Sequence, residues 1–437
     1  MIDFTELIDN YLTKLFPITR SITGNGNRET LKNLQEQIPL NILEYLSNQK
    51  VYDWTIPKEW NIKDAWIKNS RGEKIIDFNV SNIHVVSYSI KVHKKISFSE
   101  LKKNLHYLQE LPQAIPYRTS YYNENWGFCI SYEQYQELFN EDEEYEVYID
   151  SQLENGSLSI GELLIEGKSK QEYLVSCYIC HPSLANDSLS GVVLTLFLAK
   201  YLLTIQNTLE FSYRIIFVPE TIGAIAYLAN NEEVMKKIKS GFVVTTVGGP
   251  GQIGYKQSFD SNHKINDIVK YVFNKNNIDY KEYPFDVRGS DERQYSTQGF
   301  RINTVTITKD KYYEYDYYHT SLDNLEFVKA EYINQVLNLY IQVIEIMDKD
   351  IVFKNKYPNG EVMLGKHDLY PKTGGALVFD SARQYSKIDL ILWLLFYCDG
   401  KMSLYEVSKR LNLDIKTLYD IALELKEKSI MDIVYEN

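Results

Sequence analysis

The sequence predicts an α/β protein with a mainly parallel, mixed sheet flanked by helices, carrying an inserted small β-rich domain and a C-terminal winged-helix-like domain. Three observations carry this. From about Tyr145 to Lys349, apolar β-branched runs of strand length alternate with helical stretches, as in a sheet buried on both faces. Before that lies a Pro-interrupted region of short β-like pieces. After it come three amphipathic helical pieces joined by short turns.

Residues 1–47 read as helices around a loop: FTELIDNYLTKLFP has helical spacing, and SITGNGNRETLKNLQ places Gly-Asn-Gly before a second helical stretch. Residues 48–140 are the inserted piece, with KIIDFNV, HVVSYSIKV and WGFCISY as strands and SFSELKKNLHYL as a helix. Residues 141–350 form the α/β core. Its strands are YLVSCYIC, FSYRIIFVP, GFVVTTVG and INTVTIT, and SGVVLTLFLAKYL and NDIVKYVFNKNN are helices between them. A loop-like connection, 351–384, leads to the tail, 385–437.

Composition excludes several classes. Lys+Arg 47 against Asp+Glu 59 gives 47 − 59 = −12, which argues against a whole-chain nucleic-acid or anionic-membrane binder. The tail follows suit, with 7 Lys/Arg and 9 Asp/Glu from Tyr385 to Asn437, so a packing or protein-binding module is expected there and no nucleic-acid partner. Self-association through the tail is a further expectation. Four cysteines in 437 residues make no disulfide framework. The acidic start lacks the pattern of an export signal, and the apolar run Leu189 to Leu203 falls short of the roughly 18 residues of a membrane span. A cytoplasmic protein with no membrane partner is expected.

Ligands of open α/β sheets bind beyond the carboxyl ends of the strands. There the chain places HPSLANDSLSG, then Glu220 before TIGAIAYL, then GPG, then YYHTSLDN. His181, Asp187, Glu220 and His319 therefore share one sheet edge. Two imidazoles and a carboxylate suit an open Zn²⁺ site, and a further carboxylate suits a general base. Each residue has a plainer reading: His181 as a loop histidine, Asp187 as a helix N-cap, Glu220 as a cap, His319 as a surface residue. Cys177-Tyr-Ile-Cys180-His181 matches haem-attachment spacing, but it lies in an apolar strand whose alternation separates the two thiols, so structural cysteines are expected.

HPSLANDSLSG, PETIGAIAYL, GSDERQY and YHTSLDN together resemble the zinc aminopeptidase clan. PKEWNIKDA, HVVSYSIKV, AIPYRTSYY and WGFC extend the likeness to bacterial aminopeptidase-like proteins often associated with polysaccharide biosynthesis, which have an inserted domain and a winged-helix tail. The resemblance implies His181, Asp187 and His319 as metal ligands and Glu220 as general base. Two positions depart from the clan: its second Glu is Thr221 here, and Gly249 stands where an Asp is expected. What is left implies one zinc ion. Asp291 and Glu292 are expected at the substrate amine, unless Arg293 pairs with one of them on the surface. Tyr318, in the Tyr312–Tyr318 cluster, is expected either in the pocket wall or in a Tyr-rich surface loop, and Arg20 either at a substrate carboxylate or in a structural salt bridge. The reading is a metallo-aminopeptidase, a hydrolase of an amide bond in a small peptide or aminoacyl substrate. Its alternatives are a catalytically degraded binding protein and a metal-responsive regulator.

Overall fold

A computed structural model describes residues 2–370 and 385–435, so residues 371–384 of the expected connection lie outside the described residues. The chain divides into two compact units, Met1–Ile341 and Gln342–Asn437.

The first unit is organised by an eight-stranded mixed sheet. Its strands are β1 (Asn41–Leu46), β2 (Ser157–Ile165), β3 (Glu172–Tyr178), β4 (Ser212–Val218), β5 (Ser240–Val243), β6 (Ile253–Lys256), β7 (Tyr280–Tyr283) and β8 (Asn303–Lys309). They lie in the order β1-β2-β4-β3-β5-β8-β6-β7. The centre, β4-β3-β5-β8, is parallel throughout. Every residue of β4 and of β8 is buried, which is why these strands read as largely apolar or β-branched runs. The core helix Gly191–Thr204 packs on β3 and β4. Its first residue must be glycine, because a Cβ there would stand 2.4 Å from the carbonyl oxygen of Val244. The apolar segment Ala185–Thr204 has the length and composition of a membrane span, yet 78% of its most apolar window is buried inside the fold.

Five sequence expectations need correction. Residues 1–47 are not all helical: Asn41–Leu46 is the antiparallel edge strand β1, which the amphipathic pattern of its neighbours hides. The insertion has a four-stranded antiparallel sheet in the order Lys74–Asp77, Glu59–Lys68, Glu144–Glu154, Val92–Ser97. Glu144–Glu154 thus carries it past residue 140, burying Tyr145, Val147, Ile149 and Ser151 on alternate positions. HVVSYSIKV is largely irregular: Tyr88 has φ 71° and stacks on Trp60, while Val86 and Ile90 donate their N–H groups to the carbonyls of Gly127 and Asn125. WGFCISY contributes only Phe128–Cys129 as strand, and SFSELKKNLHYL breaks up into the short helix Phe98–Leu101, a 3₁₀ turn Lys102–Asn104 and the strand Leu105–His106.

The second unit is a winged helix. Helices Lys387–Tyr397, Leu404–Leu411 and Ile415–Glu427 accompany a three-stranded antiparallel sheet of Asp399–Ser403, Val352–Asn355 and Met431–Val434. Capping boxes Ser386/Asp389 and Ser403/Glu406 start the first two helices by satisfying their free N–H groups. The sheet strands are too short to register in sequence.

Candidate metal centre

The loops leaving β3, β4 and β8 converge. His181 lies three residues past β3, and its side chain is 4% exposed. Asp187 lies in the turn Ala185–Ser190 that begins the core helix. His319 follows β8 with a left-handed φ of 56°. One ligand atom from each of these three falls within 4.8 Å of the others. His319 Nε2 is 3.0 Å from Asp187 Oδ2, and His181 Nε2 is 4.0 Å from the same oxygen. Glu220, just beyond β4, brings Oε2 to 4.0 Å from His181 Nε2 and keeps 28% of its side chain exposed.

Each group is held from behind. Tyr178 donates its hydroxyl to Asp187 Oδ1 at 2.5 Å and accepts one from Thr245 Oγ1 at 2.6 Å. The backbone N–H groups of Asn186 and Asp187 are both received by Asp323, at 2.6 and 3.0 Å, and Tyr315 donates to the same carboxylate. Cys180 Sγ accepts the Glu220 N–H at 3.3 Å and lies 3.6 Å from His181 Nδ1. All four cysteines are free and buried. Among the site residues, Ser183, Thr221 and His319 have left-handed backbones, the kind of strain that gathers at functional sites.

The electrostatics follow from burial among acids. Burial pushes the His181 imidazole down to about 4, so it is neutral and its nitrogen lone pair is free to ligate. Burial opposes the Asp187 charge, but His181, His319 and Tyr178 outweigh it and hold this carboxyl at about 2. Burial, with Asp291 and Asp187 nearby, lifts Glu220 well above the usual carboxylate range. Asp291 is raised to about 7, first by burial.

The remaining expected residues divide. Tyr318 stacks on His319, ring centres 4.0 Å apart and 14° between planes. Asp291 is 1% exposed: Oδ1 takes the Thr221 N–H at 2.7 Å, and Oδ2 is buried without a partner. Glu292 is paired through Oε1 with Lys256 and Tyr312, leaving Oε2 without a partner. Arg293 donates to Thr221 Oγ1, so the expected surface pairing with Asp291 or Glu292 is not what forms. Arg20 also differs from both expectations. It is 1% exposed and donates to the carbonyls of His181 (2.9 Å) and Leu15 (2.6 Å), main-chain partners that a short PITRSITGNG motif does not reveal. It buttresses the His181 loop.

Sequence reasoning missed Tyr178, Asp323 and Tyr117. Tyr117 comes from the insertion, within AIPYRTSYY. It is 5% exposed, and its ring meets both His181 (5.4 Å) and His319 (5.3 Å). Its N–H donates to the His319 carbonyl at 2.7 Å, and Pro116 bridges to Thr320.

A family model described as a domain of unknown function, DUF4910, matches residues 9–350, and a winged helix-turn-helix model matches 351–432. The chain belongs to the DUF4910 family. A Clostridium acetobutylicum relative, named provisionally for polysaccharide biosynthesis and an aminopeptidase-like domain, is 41% identical over 98% of this chain and 96% of its own. A crystal structure from the same organism, described as a candidate peptidase, superposes with TM-score 0.86 at 40% identity, covering 98% of this chain and 96% of that one. Two more distant structures share the aminopeptidase-like fold. A zinc aminopeptidase from Bacillus subtilis has TM-score 0.57 at 12% identity, over 78% of this chain and 95% of its own. A peptidase M28 precursor from Shewanella amazonensis has TM-score 0.55 at 11% identity, over 79% and 93%.

In this DUF4910 chain the donor set fits a metal ion. His319 Nε2 is buried without a hydrogen-bond partner although Asp187 Oδ2 is only 3.0 Å away, so the two atoms face a common point more than each other. Two imidazoles and one carboxylate are a usual open zinc set. The space beside Gly249 is taken by Asp310: a Cβ on Gly249 would stand 2.2 Å from Asp310 Oδ2, which Gly251 N–H holds at 2.6 Å.

Proposed function

We propose that the protein is a single-zinc, aminopeptidase-like hydrolase that cleaves an amide bond of a small peptide or aminoacyl substrate. The observation that carries this is the convergence of His181, Asp187 and His319 beside the Glu220 carboxylate. Zinc bound by those three would polarise the scissile carbonyl and acidify a water. Glu220, raised in basicity by burial and then by its acidic neighbours Asp291 and Asp187, would take a proton from the attacking water and deliver it to the leaving amine. Asp291 Oδ2 and Glu292 Oε2, both buried and without partners, accept hydrogen bonds from the substrate ammonium. Tyr318 fixes the His319 ring and walls the pocket. One ion is proposed because Tyr178 occupies Asp187 Oδ1, Thr221 offers no carboxylate and Asp310 fills the place beside Gly249.

The name of the C. acetobutylicum relative supports a role in polysaccharide biosynthesis. The winged-helix unit is proposed as a protein-docking module, on the acidic balance of its helices. Four free, buried cysteines support a cytoplasmic setting.

The test is hydrolysis of aminoacyl p-nitroanilides by zinc-loaded protein. Turnover that a chelator abolishes and Glu220→Ala lowers about 10³-fold supports the enzyme. Tight zinc binding with no turnover on any aminoacyl substrate favours the second reading, a degraded binding protein, which Thr221 and Gly249 motivate.

A further inference from the structure

Arg293 and Arg301 line a cavity of about 550 Å³ together with Phe259 and Phe285. Arg293 spans from this cavity to the candidate centre: Nη2 donates to Thr221 Oγ1 at 3.2 Å, beside Glu220, while its buried Nε has no partner. Arg301 lays its guanidinium over Phe259, 5.2 Å from the ring centre, and Phe259 meets Phe285 edge-on at 6.5 Å. The Arg301 backbone is left-handed, with φ 55°, a conformation that a non-glycine residue adopts only under constraint. Its N–H is tied to the Thr297 carbonyl at 2.9 Å, which fixes that strained residue at the cavity rim.

Among the described residues neither of these two arginines forms a contact ion pair, although Arg293 acts on the Asp291 and Glu220 carboxylates through space; Arg301 is the guanidinium left to an anion. A guanidinium facing a cavity with aromatic walls makes a receptor for a planar or tetrahedral anion, since the guanidinium fork matches carboxylate and phosphate oxygens.

We infer that this cavity binds an anionic group, a carboxylate or a phosphate. Two sources share this chemistry: an acidic group on the substrate itself, or a free phosphate ion. The substrate source rests on the hydrolase reading; anion binding as such does not.

The experiment uses the full-length protein, its Arg301→Ala variant and Arg301→Lys as a charge-retaining control. Calorimetry is run with glutamic acid α-amide, leucinamide and inorganic phosphate. The expected result is that the glutamic amide or phosphate binds at least tenfold more tightly than leucinamide, that Arg301→Ala removes this advantage, and that Arg301→Lys restores part of it. Rates on glutamyl and leucyl p-nitroanilides then separate the sources. A substrate anion makes Arg301→Ala lower kcat/KM at least tenfold for the glutamyl compound alone; a free ion leaves that ratio unchanged while phosphate binding is lost. If no compound is hydrolysed, the hydrolase reading fails and the calorimetry still decides the cavity. Equal affinities of wild type and Arg301→Ala for both anions, or no binding of either, would overturn the inference.

Discussion

The Tyr178 hydroxyl donates to Asp187 Oδ1 at 2.5 Å while Asp187 Oδ2 lies 3.0 Å from His319 Nε2 without a hydrogen bond between them, so the two oxygens of one carboxylate have different tasks. One is anchored to the protein and the other is left for a ligand. A carboxylate that bridged two metals would need both. Tyr178→Phe keeps the buried ring and removes only the anchor. Support of this kind behind a metal ligand typically contributes 10- to 100-fold in affinity, so a fall in zinc affinity of about that size is expected, read by competition with a chromophoric chelator.

Glu220→Gln separates binding from chemistry. Glu220 lies outside the His181, Asp187, His319 set, and its role is proton transfer. Zinc content by mass spectrometry is expected to match wild type, and kcat to fall by about 10²- to 10⁴-fold. Loss of zinc together with activity would instead make Glu220 a ligand, through the alternative grouping with Cys180 and His181.

Gly249→Asp restores the carboxylate type that the zinc aminopeptidase clan has at this point, and is expected not to restore a second ion. The new Cβ would stand 2.2 Å from Asp310 Oδ2, and two carboxylates would share one buried space. A loss of about 2 kcal/mol or more in urea unfolding is expected, with zinc stoichiometry unchanged.

These residues show where sequence is informative. The parallel core was legible because burial on both faces imposes continuous apolar runs, and the rim positions followed from what comes after each run. His181, Asp187, Glu220 and His319 met because each lies on the loop that leaves the carboxyl end of a central strand, so topology brings them to one edge. Tyr117 was not legible: it reaches the centre from the insertion, through a main-chain pairing of Pro116 with Thr320 that no local pattern encodes. Tyr178 was hidden inside its own apolar strand. Arg20 was not legible either: its Nε and Nη1 donate to main-chain carbonyls, partners that a sequence motif does not display.

Stability at low pH has a separate determinant. Arg28 grips Glu59 through Nη1 and Nη2, each at 2.7 Å, and the Glu59 side chain is 14% exposed. The Arg28 hydrogen bonds hold the Glu59 carboxyl down at about 2 in the fold, against an unfolded value of 4.5. A depressed carboxyl stabilises the fold above its unfolded value and loses that contribution as pH falls towards the folded one. The pair is therefore fully effective above about pH 4.5 and is lost between there and about pH 2. Glu59→Gln is expected to cost about 1–2 kcal/mol at pH 7 and progressively less below pH 4.5, measured by urea unfolding across that range.

The most direct test of a single-ion centre is anomalous scattering at the zinc edge from crystals grown with zinc. One peak is expected, within bonding distance of His181 Nε2, Asp187 Oδ2 and His319 Nε2, with Tyr178 still on Asp187 Oδ1. Two peaks bridged by Asp187, or none among these residues, would contradict it.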